Sequence, residues 1–424
     1  MKLFVFIIVT VIAFIANPLY AEEIPLSLEE AVGIALRDNR DILLKSADVK
    51  KAKLKIAESY TAFSPTVTFT GGWTKTRGYY SKDISQSYTQ TTVKQYLFRG
   101  LKAVNTVTYN GYNFEVAQAI LDKTKLDTAL NVANSFYASL LARELAVVNK
   151  SITDNTMDHL AVANERYAAG EVSESDVLNI EAALQEVHKV YVLSLNQVES
   201  ARTLLNNLLY LDKDAMIKPE GDFVYEEREV AFDEGFLKAM RLRPEIKQYE
   251  AQVKAARRNV EIVKADSRPT IYASWDYYTK SHVTGLSGLN RNWNDYNIIG
   301  LTFSWPVFDG FATRMKVSQA LVDVKAAQLN KEKTINDIAL ELKNAVLDLD
   351  SAISKIKSMQ AQSTTQRNTL VEIQQKYTQG ITSALDVKDA LLSYDIALFN
   401  EKEAAYDYVL AKARFDKATG GMIQ

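Results

Sequence analysis

Four short stretches of the chain alternate between apolar and polar residues with a period of two. In 269–279, PTIYASWDYYT, the residues Ile271, Ala273, Trp275 and Tyr277 alternate with Tyr272, Ser274, Asp276 and Tyr278. In 296–305, YNIIGLTFSW, Asn297, Ile299, Leu301, Phe303 and Trp305 share one parity, and Ile298, Gly300, Thr302 and Ser304 the other. The runs 66–74 and 90–98 repeat the pattern more weakly: Val67, Phe69 and Trp73 alternate with Thr and Gly, while Lys94 and Gln95 interrupt the second run. Such alternation predicts two β-hairpins, 66–98 and 269–306, each with an aliphatic and a hydroxyl-rich face. Elsewhere the period changes. Apolar positions 126, 130, 133, 137, 141, 145, 148 and 152 step by three or four, as do 342, 346, 349, 353 and 356. Those steps predict helices packed side by side along a seam.

The helical segments come in matched pairs. Two of roughly 35 residues (27–62 and 233–266) stop before Pro65 and Pro269, since proline removes a donor and turns the preceding residue extended. Two of roughly 65–70 residues (101–169 and 311–379) contain no proline, and two of about 37 (173–209 and 383–419) return. At about 1.5 Å per residue, 70 helical residues extend about 105 Å, more than a globular core needs. The pairing reflects a tandem duplication. From residue 98 onward an offset of 210 lays LFRG (97–100) on VFDG (307–310) and Tyr167 on Tyr377. Before that the offset is 204, laying Ser64-Pro65-Thr66 on Arg268-Pro269-Thr270. The copies are read as 22–212, with its hairpin at 66–98, and 226–424, with its hairpin at 269–306. A linker, 213–225, joins them.

Each copy spells Tyr-x-x-Gly-x-x-Ser-x-x-Asp-Val where a long helix meets a returning one, at RYAAGEVSESDV (166–177) and KYTQGITSALDV (376–387). Gly170 and Gly380 suit the left-handed residue that ends a helix. Ser173 and Ser383 suit the N-cap of the next, with Asp176 and Asp386 completing a capping box. A tight helix–turn–helix tip, made twice, accounts for all six without a functional role.

Composition narrows the class. Formal charge is −2, so no concentrated basic surface marks a nucleic-acid binder. There is no cysteine, hence no disulfide framework and no thiolate metal site. His159, His188 and His282 are far apart in sequence, with neither metal-ligand spacing nor partners for a catalytic triad. No glycine-rich phosphate loop is present, and no enzyme, cofactor or metal site is expected. Residues 1–21 place Lys2, an apolar run, Asn17-Pro18 and the small Ala21 in the order of a cleavable secretory signal. No later segment offers about 18 consecutive apolar residues for a helical span.

An exported chain with alternating strands points to a membrane sheet. All four tryptophans, Trp73, Trp275, Trp293 and Trp305, lie in the two hairpin regions, as aromatics do at membrane interfaces. A sheet in lipid must close, because an open edge leaves amides unsatisfied. Four strands cannot close, so several copies must pool theirs; two give eight strands and three give twelve. A soluble periplasmic coiled-coil adaptor or scaffold is the alternative. It explains the helices but not the tryptophan-bounded strands.

On these residues, together with ALRDNRDI (35–42), MRLRPEI (240–246), WPVFDG (305–310) and the YTQGITSALDV tip, the chain resembles the outer-membrane efflux protein family, the TolC-like exit ducts of Gram-negative bacteria. The resemblance covers essentially all of the expected mature chain. It implies a mainly α fold with a small β part: a homotrimer whose twelve-stranded barrel in outer-membrane lipid continues into a helical tunnel across the periplasm. It further implies docking on a periplasmic adaptor (membrane fusion) protein bound to an inner-membrane pump, for drug efflux or protein secretion. In the family, carboxylates and a tyrosine of the tip motif narrow the periplasmic entrance. By motif position these fall on Asp386, Asp389 and Tyr377, and in the first copy on Tyr167 and Asp176, with Asn179 standing where Asp389 does. The family's locking arginine is Thr382 here, which puts that particular ionic lock in doubt. Adaptor docking is expected around Gly170, Ser173, Gly380 and Ser383.

Overall fold

A computed structural model describes residues 24–79, 82–212, 215–226, 231–284 and 292–421. The expected signal segment 1–21 lies outside them, as does the side chain of Trp293. The chain divides into two compact units, and each draws on both copies of the repeat.

One unit comprises Leu36–Asn131, Val224–Ser358 and Asp407–Gln424. Its sheet has the strands β2 (Thr66–Tyr79), β3 (Lys82–Arg99), β5 (Thr270–Thr284) and β6 (Asn292–Ser304), in the order β2-β3-β5-β6 and antiparallel throughout. Register places Val67, Val93, Trp275 and Ile299 in one row, and Thr68, Thr92, Asp276 and Ile298 in the next. One face is therefore largely aliphatic and aromatic, and the other mostly polar. Lys94 does not break the pattern: it lies opposite Ser274 on the polar side, with Nζ 3.8 Å from the Tyr272 ring centroid. A bulge between Tyr96 and Phe98 then brings Phe98 opposite Ile271.

The helices leading into this sheet correct the sequence expectation. Instead of single helices over 27–62 and 233–266, α1 (Leu28–Asp38) gives way to α2 (Arg40–Tyr60), and α5 (Phe232–Leu242) to α6 (Pro244–Lys264). Asn39 and Arg243 hold the same extended conformation at the two breaks, φ −62° and ψ 126°. In the first copy Asn39 Oδ1 accepts from the backbone of Asp41 at 2.9 Å and Ile42 at 3.3 Å, capping α2. In the second, Pro244 opens α6 and bars Arg243 from helical geometry. Short 3₁₀ turns, Thr61–Phe63 and Ala265–Ser267, finish both arms ahead of the prolines at 65 and 269.

The other unit comprises Met1–Ala35, Val132–Phe223 and Met359–Tyr406. In it β1 (Ile24–Leu26) pairs in parallel with β4 (Ile217–Pro219), which falls in the stretch between the two copies. Leu26 and Ile217 join Val132, Phe136, Leu140, Leu205 and Leu209 in a buried cluster. The long helices α3 (Lys102–Ala168) and α7 (Ala312–Thr378) end in this unit, where α4 (Glu174–Leu209) and α8 (Ala384–Thr419) begin.

Candidate functional site

The two tips form as their sequence dictates. Gly170 has φ +76° and Gly380 φ +71°, left-handed values that a side chain would strain. Glu171 N donates to Arg166 O and Ile381 N to Lys376 O, both at 2.9 Å, closing the helix ends in the Schellman manner. Ser173 Oγ then accepts from Asp176 N at 3.2 Å, while Ser173 N donates to Asp176 Oδ2 at 3.0 Å. Ser383 and Asp386 repeat the box at 3.2 and 2.8 Å. Hydrogen bonds from Ser383, backbone N–H first and hydroxyl second, hold the Asp386 carboxyl below the usual aspartate range. The Ser173 hydroxyl, then its N–H, does the same for Asp176. Tyr167 and Tyr377, just ahead of the turns, are 47% and 48% exposed, and so available to a partner surface.

Asp389 has a different setting. Its Oδ1 lies 2.6 Å from His159 Nε2 and 3.2 Å from Asn155 Nδ2. Beside it, Lys388 Nζ is 2.5 Å from Asp158. Further along the same two helices Ser151 Oγ donates to Asp395 at 3.1 Å, and Lys402 Nζ lies 2.7 Å from Glu144. Contacts rise along α3 as they fall along α8, so the two helices run antiparallel with a polar ladder between them. The first-copy helix thus holds the second-copy carboxylate. Sequence reasoning missed His159. Its signal was a stripe of polar residues at helical spacing on each helix; nothing in the sequence says that the stripes face one another.

The sheet supplies the second feature. Val67, Phe69, Trp73, Ile299, Leu301 and Phe303 are each 62–80% exposed, an apolar surface with no cover among the described residues. On the polar face Asp276 Oδ1 accepts from Thr92 Oγ1 at 2.6 Å and Gln90 Nε2 at 3.1 Å. Trp73 Nε1 donates to Ser85 Oγ at 2.8 Å and Trp305 Nε1 to Ser267 O at 3.2 Å, so both indoles expose ring while satisfying their N–H. Among the described residues no helix is long and apolar enough to cross a membrane, and no group of three or more His, Cys, Asp or Glu is placed to hold a metal ion.

Among the described residues these uncovered strands run on into two helices of 67 residues each. Comparison with known proteins gives the family. The model of the outer membrane efflux protein family matches residues 31–209 and 238–421, and the chain belongs to that family of outer-membrane channels. It is 24% identical to Protein CyaE of Bordetella pertussis over 71% of this chain and 64% of that protein. It is 23% identical to the outer membrane protein TolC of Salmonella enteritidis over 90% of this chain and 79% of that one. The crystal structure of the Campylobacter jejuni CmeC outer membrane channel superposes with a TM-score of 0.75 at 16% identity, covering 94% of this chain and 86% of that one.

Proposed function

We propose that this chain is one third of a homotrimeric exit duct for efflux or type I secretion, open through the outer membrane and gated at its periplasmic tips. The observation that carries this is the four-stranded sheet whose apolar face is uncovered and whose two outer strands pair on one side only, among the described residues. In water that combination invites aggregation. In lipid it requires closure, and three copies close a barrel of twelve strands, wide enough to leave a pore. The height fits as well. Trp73 and Trp293 share one row through Ser87 and Ser281, and Trp305 lies just past the other end of the sheet. Twelve residues from Trp293 to Trp305 cover roughly 41 Å along a strand at ~3.4 Å each, or roughly 29 Å of height at a ~45° tilt. That matches a hydrocarbon core of about 30 Å. Trp275 stands midway along β5 and marks neither rim.

Within their own unit the tips expose Tyr167 and Leu178 in the first copy, and Tyr377 and Ile381 in the second. These apolar groups around Gly170, Ser173, Gly380 and Ser383 offer a docking surface for a periplasmic adaptor, and through it an inner-membrane pump. Asp176 and Asp386 serve the turns. Asp389, tied to His159 yet 47% exposed, is the carboxylate that a threefold axis would gather into a ring. Like charges in a narrow aqueous constriction attract cations and repel one another.

Single-channel recording in planar bilayers tests the proposal. The purified protein is expected to conduct as a trimer, with Asp389→Ala raising conductance or weakening block by divalent cations. A water-soluble monomer without current would end the proposal; a conducting trimer indifferent to Asp389→Ala would remove only Asp389 from the gate.

A further inference from the structure

The polar face of the sheet carries an unbalanced charge. Between the rows of Thr270 and Lys280 its charged residues are three cations, Lys94, Arg99 and Lys280, and one carboxylate, Asp276. Asp276 is satisfied by neutral donors, Thr92 Oγ1 at 2.6 Å and Gln90 Nε2 at 3.1 Å. Among the described residues no carboxylate oxygen lies within 4.0 Å of the Lys94, Arg99 or Lys280 nitrogens. Tyrosine rings face these cations instead. Lys94 Nζ lies 3.8 Å from the Tyr272 ring centroid and 4.9 Å from that of Tyr96, and Arg99 Cζ lies 5.1 Å from Tyr96. Tyr96 and Tyr272 meet edge to face at 5.7 Å. Three rows further along the same face, Tyr278 and Tyr296 stack at 5.0 Å, and Lys280 Nζ stands 5.6 Å from both rings. A ring face attracts an ammonium group but leaves its charge in place.

Building the sheet does not call for these side chains. Register lays one hairpin on the other, with Thr66 and Lys94 falling on Thr270 and Ser304. Tyr272, Tyr278, Lys280 and Tyr296 then stand where the first hairpin has Thr68, Thr74, Thr76 and Gln86. Lys94 in turn stands where the second hairpin has Ser304. Hydroxyls and an amide thus serve at the same places of the same fold, so the rings and cations answer to something other than strand pairing. Room is also made for one of them. Gly72 shares a row with Tyr88 and Lys280, and a Cβ there would lie 2.5 Å from the Tyr88 ring. The chain as a whole has a formal charge of −2, so the positive excess is local to this face.

We propose that the polar face of this sheet binds flat aromatic carboxylates at two stations, one made by Lys94, Arg99, Tyr96 and Tyr272 and the other by Lys280, Tyr278 and Tyr296. The cations set the sign of the ligand. An ammonium or guanidinium group without a protein anion is free to take a carboxylate through charge-assisted hydrogen bonds. The tyrosines set its shape, because a planar apolar body stacks on their rings as aromatic side chains do on one another. Inorganic anions have only the first of these contacts and are held less. Six residues along β5, from Tyr272 to Tyr278, put the stations roughly 20 Å apart at ~3.4 Å each. A small ligand therefore occupies one station at a time, and several weak sites in series suit passage better than one tight site. This face lines a passage only in the duct proposed above; there it names the class of cargo favoured, aromatic acids over organic cations.

Binding and conduction, measured separately on the purified full chain, test the site and the duct independently. Equilibrium dialysis of the detergent-solubilised protein against 2-naphthoate is expected to show saturable binding, with acetate bound far more weakly. Lys94→Gln/Lys280→Gln should weaken naphthoate roughly tenfold, the scale of one lost charge-assisted hydrogen bond, and Lys94→Arg/Lys280→Arg should restore it. Tyr272→Leu/Tyr278→Leu should weaken naphthoate as well. In planar bilayers under a salt gradient, the glutamine variant should shift the reversal potential toward cations, whereas the leucine variant should leave it unchanged. Naphthoate binding that survives both the glutamine and the leucine substitutions overturns the site, as does acetate bound as tightly as naphthoate. If such a protein still conducts, the duct stands without the site. Naphthoate bound with the expected losses by a protein that passes no current supports the site and sinks the duct. Neither binding nor current sinks both.

Discussion

Asn39 and Arg243 stand at equivalent points of the two copies, with identical backbone angles, between a short helix and the arm that leads to the sheet. The first copy secures its break locally, by an amide side chain bound to two N–H groups of the next turn. The second secures it at a distance. Arg243, only 4% exposed, grips Glu245 through Nε and Nη2 at 3.2 and 2.9 Å, and Nη1 reaches Glu341 at 2.5 Å and Ala418 O at 3.4 Å. Burial works against the Glu245 carboxylate, but the Arg243 fork outweighs it and holds that group below the usual glutamate range. One duplicated turn has thus acquired two stabilising chemistries. The glycine corners after β3 and β6, Gly100 at φ +56° and Gly310 at φ +66°, diverged likewise. A Cβ on Gly100 would lie 2.7 Å from Arg268 Cβ and 2.8 Å from Ala265 O, whereas among the described residues nothing lies within 4 Å of one on Gly310.

The largest expected effect breaks the first of these contrasts. Arg243→Ala leaves Glu245 buried and unpaired, which costs about 3–5 kcal/mol, whereas Asn39→Ala removes one cap at about 1 kcal/mol. Heat-induced loss of helical circular dichroism should therefore come much earlier in the arginine variant; equal shifts would mean that the buried ion pair adds nothing beyond a cap. The corners come next. Gly100→Ala and Gly310→Ala each force a left-handed alanine, at about 1–2 kcal/mol, and Gly100→Ala adds a clash with Ala265 and Arg268. The yield of heat-resistant oligomer should therefore fall further with Gly100→Ala; equal losses would mean that the clash adds nothing to the left-handed strain.

Smaller effects test the tips. His159→Ala removes a half-exposed partner of Asp389, a pair worth about 0–1 kcal/mol, so stability should barely change while conductance moves in the direction of Asp389→Ala. Asn179, exposed at the first-copy position, should be silent on substitution by Ala in the same bilayer recording. The smallest effect is on acidity. Asp176 and Asp386 titrate below their ordinary range in the folded tips, so both boxes are intact at neutral pH and weaken as pH falls through those lowered values. Proteolysis at the tips should therefore rise as pH is taken below about 4, the value of an ordinary aspartate, and not above it. A Ser173→Ala/Ser383→Ala variant should already be cut at neutral pH and lose that dependence.

Local rules made much of this protein readable. Helix ends at Ala168 and Thr378, the glycine turns, both capping boxes and the four strands follow from spacing and residue type, because each depends on neighbours a few positions away. Even the break before Pro244 was written in the chain, since proline forbids a helical residue ahead of it; the break at Asn39 was less visible, as asparagine only permits one. What only tertiary structure decided is which distant surfaces meet. His159 and Asp389 are 230 residues apart, β1 finds β4 across most of the first copy, and Lys94 proves harmless once the sheet puts it over Tyr272. Periodicity tells a residue which face of its own helix or strand it occupies, but the identity of the facing surface depends on how the whole chain packs, and that energy is summed over contacts no short window contains.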